Sequence, residues 1–268
     1  MTSEYDNTFT TGLEWVWGPG FLSPGGSEEV ATLLDGIDIS GLRVLDVGCG
    51  LGGVDICLVE NHHAAQVVGI DVLPHLVERC NRLFAEKRLD ERLSAMTVEP
   101  GPLPFDNESF PVIFSKDSTI HIPEKQSFYA EVLRVLSPGG YFICSDWLSG
   151  TADEYSTVMQ EWLDQAKLDF AMKNADQTTD SLTAAGFELL AVRDRNAWYA
   201  TTIKQEIALA TGADGEKLAE LIGREAAVHR LNSSTLKQQV IENGELRPTH
   251  LVCRKPLVVD SRSNPQVV

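Results

Sequence analysis

Between residues 42 and 146 the chain alternates short apolar runs with longer stretches of helical spacing. The runs at 42–47, 66–71, 93–98, 110–115 and 141–146 are short and bounded by turn formers, so they predict strands. Helices are predicted from a glycine-rich turn at 48–53 to about residue 61, then over 74–87 and 123–136. This strand–helix rhythm predicts a doubly wound α/β fold, with a mostly parallel sheet of seven strands once the later runs are added. Pro111, directly after Phe110, argues for a fourth strand that starts late. The stretch 137–140, Ser-Pro-Gly-Gly, closes the third helix.

After residue 150 the rhythm changes. Residues 153–173 read as helical, 178–185 as a short helix, 187–192 as a sixth strand and 246–254 as a last one. Residues 198–230 read as largely helical, with a break near Thr211 and Gly212. The long connections near 150–175 and 196–245 predict helical cap insertions at the strand ends. Near the front, 27–36 predicts a helix with Ser27 as N-cap and Glu28 and Glu29 in its first turn. The expected organisation is a leading segment at 1–26, one α/β domain at 27–256 and a flexible tail at 257–268.

Composition narrows the ligands more than the fold. The 22 basic and 39 acidic side chains leave a net charge of -17, which repels phosphate backbones and anionic lipid headgroups. The expected partner is a small molecule, with no nucleic acid and no membrane. The five cysteines show no CxxC spacing, so neither a disulfide framework nor a zinc site is expected. Residues 1–11 are polar and acidic and no apolar run reaches the length of a membrane span, which makes the cytoplasm the expected location.

The densest chemical signal is residues 44–53, Val-Leu-Asp-Val-Gly-Cys-Gly-Leu-Gly-Gly. Glycine is needed where a ligand approaches backbone closely or where φ is positive. Dinucleotide enzymes share such turns, and a purely structural strand-to-helix turn is the plainer reading. Asp46, just before Gly48 and Gly50, sharpens the choice: a carboxylate there suits the cationic end of a bound amino acid and crowds a pyrophosphate. Asp71, with Val72 beside it, closes the second strand and is placed to accept from two ribose hydroxyls. This D-x-G-x-G arrangement resembles class I S-adenosylmethionine-dependent methyltransferases over about residues 41–146. The resemblance implies S-adenosylmethionine as cofactor, with S-adenosylhomocysteine as product. It also implies an adenine contact for Glu99, which otherwise reads as a solvated loop residue, and a donor-side place for Ser115.

The leading segment carries a closer likeness. Tyr5, residues 13–18 (Leu-Glu-Trp-Val-Trp-Gly) and residues 22–26 (Leu-Ser-Pro-Gly-Gly) resemble the start of phosphoethanolamine N-methyltransferases, and Asp117 and His121 keep that family's spacing. The similarity covers most of residues 5–150. It implies a lid over the site, a Tyr5–His121 latch that handles the proton, an amine-orienting Asp117, and donor contacts from Leu22 and Ser23. Lys116 stands where an Arg is common. Read without the resemblance, His121 is either an acceptor-side residue after the fourth strand or a capping or surface histidine.

The family's phosphate cage is thinner here: Leu13 and Trp147 stand at tyrosine positions, the family's Arg position falls near Ala166, and Lys237 is the candidate for its last-helix Lys. Trp15 and Trp147 either offer faces to a methylated ammonium or pack in a core. The expected activity is N-methylation of a small amine, phosphoethanolamine-like or unphosphorylated, in one or several rounds. The alternatives are methylation of a thiol, imidazole or hydroxyl, or donor binding without catalysis. No metal is expected.

Overall fold

The computed structural model of the chain describes residues 5–151, 154–166, 168 and 170–257. The expected tail therefore lies, past residue 257, outside the described residues, as do parts of the helix expected at 153–173. Seven strands form one sheet: β1 (Arg43–Val47), β2 (Gln66–Asp71), β3 (Leu93–Thr97), β4 (Phe110–Lys116), β5 (Leu136–Ser149), β6 (Glu188–Asp194) and β7 (Leu246–Arg254). Their order is β3-β2-β1-β4-β5-β7-β6. The first five run parallel, and β7 lies antiparallel between β5 and β6. The expected doubly wound sheet is what the chain forms.

Strand pleating explains why both faces are covered. Val44, Val67, Val112 and Ile143 point into one core, while their neighbours Leu45, Val68, Ile113 and Phe142 point into another. The first core is closed by α2 (Gly26–Leu33), α3 (Gly53–Glu60) and α4 (Pro74–Glu86), the second by α5 (Lys125–Val135) and α7 (Ala175–Ala185). In α4 the buried residues Leu76, Val77, Cys80 and Phe84 recur at helical spacing. A third cluster joins α6 (Thr157–Ala166), α8 (Asn196–Thr211) and α10 (Arg224–Glu242), with α9 (Ala213–Ile222) between the last two in the chain. Arg195 ties the start of α8 to α2 by donating twice to Glu29, at 2.8 and 2.7 Å.

Several boundaries differ from the expectation. The leading segment forms a helix, α1 (Asn7–Trp17), capped by Asp6, whose carboxylate accepts from the Phe9 N–H. Ser27 is not an N-cap: α2 begins at Gly26 after a left-handed Gly25. β4 starts at Phe110, and Pro111, which has no N–H to donate, falls in a register shift against β5. β5 begins early because Leu136 pairs with Phe110. The last helix runs on to Glu242 rather than ending at Arg230. Among the described residues, no helix is long and apolar enough to cross a membrane.

Candidate functional site

In open doubly wound sheets ligands gather outside the carboxyl ends of the strands, where the order reverses, here between β1 and β4. The turn after β1 takes positive φ at Gly48 (81°) and Gly50 (54°). A Cβ on Gly48 would lie 2.3 Å from the Ser118 side chain, and one on Gly50 2.9 Å from Leu22. Both glycines are thus demanded by the close approach of the loop after β4 and of the leading segment, besides any ligand.

Two carboxylates flank this turn. Asp46 is buried, its Oδ1 has no hydrogen-bond partner, and burial together with the charges of Asp55 and Asp71 pushes its carboxyl well above the usual range. Asp71 accepts from the Gly50 N–H at 3.0 Å and from the Leu73 N–H at 2.9 Å, one bond on each oxygen. Each oxygen keeps a second lone pair for a hydroxyl. Val72 is 50% exposed beside it, and Glu99 is exposed after β3. These residues fit a cationic nucleoside: an orphaned buried acid, a hydroxyl-accepting acid and an open apolar side chain beside it.

Asp55, in the first turn of α3, was not read from the sequence. It is fully buried with both oxygens unpartnered, and burial raises it to about 7. Ser115 departs from its expected donor-side role. Its hydroxyl is buried and spent on the Val47 carbonyl (2.8 Å) and the Ser118 hydroxyl (2.8 Å), which joins the ends of β1 and β4.

Next to the donor crevice lies a cavity of about 670 Å³, walled by α1, the loop after β4, α6 and α10. Tyr5 and His121 meet on its wall across 116 positions of sequence, hydroxyl to Nε2 at 3.2 Å. The start of α1 directly after Asp6 fixes Tyr5, and His75 of α4 holds the Tyr5 carbonyl at 2.8 Å. Arg79, one turn along α4, donates to Thr10 (2.7 Å) and Glu14 (2.9 Å) of α1. At the other end of the leading segment the buried Lys116 ammonium donates to Ser23 Oγ (2.8 Å) and the Pro24 carbonyl (2.9 Å).

The same ammonium contacts Asp117 Oδ2 at 2.6 Å, and Ser145 donates to Asp117 Oδ1 at 2.5 Å. Burial alone would raise the Asp117 carboxyl, but the Lys116 ammonium and these hydrogen bonds hold it below the usual range. Asp117 lines the cavity yet already has its counter-charge, so it is not the unpaired carboxylate that an amine-orienting role called for. Behind the short 3-10 turn Thr119–His121, buried Asp146 accepts from the Thr119 hydroxyl, and Lys125 Nζ stands 3.8 Å away. Burial raises Asp146 to about 6.

The tryptophans sort differently from the expectation. Trp17, not Trp15, lines the cavity, because two residues along a helix turn the side chain about 200°. The Trp17 indole N–H donates to Glu206 at 2.9 Å. Trp147 does line the cavity, but Lys237 Nζ already lies over its ring at 5.2 Å, and over Tyr199 at 5.5 Å and Trp17 at 5.9 Å. Burial, with a smaller push from Arg230, lowers Lys237 to about 8 against the pull of Glu206. Arg230 was missed. It sits two turns before Lys237 on the same face of α10, with its guanidinium 5.6 Å from the Trp17 ring. Extending the last helix past Arg230 in the sequence would have paired them.

A seven-stranded sheet of this order, with acids at the ends of β1 and β2 and a cavity beside them, defines the class I methyltransferase fold. The comparisons agree. A family model described as a methyltransferase domain matches residues 38–222, and the chain belongs to that family. S-adenosylmethionine is the methyl donor of the family. A phosphoethanolamine N-methyltransferase of Triticum aestivum is 30% identical over 77% of this chain and 40% of its own length. A 24-methylenesterol C-methyltransferase 2 of Arabidopsis thaliana is 27% identical over 93% of this chain and 76% of its own length. The Haemonchus contortus phosphoethanolamine N-methyltransferase 2, solved with phosphomonomethylethanolamine and S-adenosylhomocysteine, superposes with a TM-score of 0.86 at 22% identity, over 95% of this chain and 59% of that one. The chain thus spans about two fifths of the length of the wheat relative.

Proposed function

We propose that this chain moves a methyl group from S-adenosylmethionine to the nitrogen of a small-molecule amine. One observation carries the reading: a tyrosine hydroxyl and an imidazole meet at 3.2 Å on the wall of a cavity that adjoins the donor crevice. When bound, the donor supplies an electrophilic methyl whose bond to sulfur breaks, with its electron pair left on sulfur, as the acceptor lone pair forms the new bond. An alkylamine is protonated near pH 7, so its nitrogen must first lose a proton. His121 is placed to take it, with Tyr5 fixing the ring and passing the proton outward. The α1 segment then acts as a lid, clasped by His75 and Arg79 at one end and by Lys116 at the other, that keeps water from the reacting atoms.

Asp46, Gly48, Gly50, Asp71, Val72 and Glu99 would hold the donor, with Leu22 and Ser23 at the lid's end. Repeated rounds need only that the product amine lose its proton to the same pair. A carbon acceptor, as the sterol relative's name indicates for that protein, fits less well. Methylating an alkene leaves a carbocation, and this cavity already holds Arg230 and Lys237. The test is to incubate the protein with labelled donor and a panel of small amines, thiols, imidazoles and alcohols, following products by mass. Labelled amines are expected. Transfer only to thiols, imidazoles or alcohols, or donor binding with no transfer at all, would refute the reading.

A further inference from the structure

The cavity wall beside Trp17, at the far end of α1 from Tyr5, is basic. Arg230 and Lys237 both reach it from α10, and neither forms a hydrogen bond or ion pair among the described residues. The ring faces of Trp17, Trp147 and Tyr199 compensate them only in part. Two cations that face a cavity and have no hydrogen-bond acceptor of their own among the described residues are a recognition element for an anion.

Counting charge sizes that anion. Among the described residues, Glu206 is the buried acid within electrostatic reach of both cations, and it is held by the Trp17 indole at 2.9 Å. Arg230, Lys237 and Glu206 therefore sum to a single positive charge. Of the other charged residues on the wall, Arg224 and Glu225 are exposed and opposite in sign, Asp117 is paired with Lys116, and Asp6 caps α1 at the Tyr5 end. A monoanion neutralises this end, whereas a phosphate dianion exceeds it by one negative charge. The donor geometry points the same way. A guanidinium fork offers two parallel N–H bonds to the two oxygens of a carboxylate. The third oxygen of a phosphate would need further donors: Leu13 and Trp147, at positions where the resemblance implied tyrosines, bring no hydroxyl, which leaves Ser233 and Ser234 of α10 as the hydroxyls beside the two cations.

Resting on the amine reading above, we infer that the methyl acceptor is an amino acid in the broad sense: an amine whose far end bears a carboxylate, gripped by Arg230 and Lys237 while its nitrogen faces His121. Arg230 is then the specificity-determining residue.

The experiment measures kcat/KM, by S-adenosylhomocysteine release, for glycine, β-alanine, 4-aminobutyrate and 5-aminopentanoate against ethanolamine and phosphoethanolamine. At least one carboxylate is expected to exceed ethanolamine by about 10- to 100-fold, the value of a charge-assisted contact, and to exceed phosphoethanolamine as well. Arg230→Gln should erase that advantage by raising KM for the carboxylate by the same factor, more than it changes KM for ethanolamine, and Arg230→Lys should restore part of it. S-adenosylhomocysteine affinity, measured on each variant, reports that the donor end is intact. If a variant does not fold, the ranking of substrates on the unaltered protein decides alone. Preference for phosphoethanolamine, preference for ethanolamine, or a carboxylate preference that survives Arg230→Gln would each overturn the inference. Failure of every amine while S-adenosylhomocysteine still binds would instead overturn the amine reading, and this inference with it.

Discussion

At the carboxyl ends of β1 and β2 the buried charges are acids; on the cavity face of α10 they are bases. Asp46 and Asp55 carry oxygens with no partner, and Arg230 and Lys237 carry donors with none among the described residues. Burial disfavours the charged form of each, raising the acids and lowering Lys237, so the two regions titrate toward each other. The contrast assigns the ligands: a cationic donor suits the acidic end and an anionic tail suits the basic one. The Tyr5–His121 contact lies on the wall of the same cavity as the two bases.

The sharpest way to separate the regions is His121→Ala. Turnover should fall by about 10²- to 10⁴-fold, the usual weight of a general base, with S-adenosylhomocysteine affinity unchanged by calorimetry. If affinity collapses as well, His121 belongs to the donor end and the division is wrong. Gly48→Ala attacks the other side. Its left-handed φ costs about 1–3 kcal/mol, and its Cβ would meet Ser118 at 2.3 Å. Donor affinity should drop together with the melting temperature, while substrate preference among amines stays as it was.

A pH series tests the opposed titrations. Asp46 must be ionised to hold a cation, and without ligand it stays protonated to higher pH than an ordinary carboxyl, as does Asp55 at about 7. Donor binding should therefore release protons and weaken as pH falls through the raised range of the Asp46 carboxyl, by about tenfold per pH unit per proton at the limit. Calorimetry in buffers of different ionisation enthalpy reads this directly. Lys237 loses its charge above about 8, so KM for an anionic acceptor should rise there. Coincident pH dependences would remove the distinction. The smallest effect is expected of Tyr5→Phe. One 3.2 Å contact is lost, and kcat should fall about three- to tenfold, in line with a bond worth about 1 kcal/mol.

How far each region could be read beforehand follows the same division. The donor end lies within contiguous residues, so Asp46, the glycines and Asp71 stood out by their order on a strand–turn–helix unit. Even there Ser115 was misjudged, because its hydroxyl is taken by the Val47 carbonyl, 68 positions away. In the acceptor cavity, His121 and Asp117 could be read from their place on the loop after the fourth strand, whereas Tyr5 stood out only through the resemblance. That Asp117 is already neutralised by its neighbour Lys116, and that Trp17 rather than Trp15 faces inward, depended on side-chain direction. Arg230 carries no local signal, because only its packing against the Trp17 ring brings it to the cavity.

The sequence by itself determined the sheet, its helices and the donor turn, because strand pleating, helical spacing and the positive φ of Gly48 are properties of neighbouring residues. Tertiary structure alone decided which charges are left without partners. A carboxylate or ammonium is paired or orphaned by whatever distant element packs against it, and no local pattern carries that information.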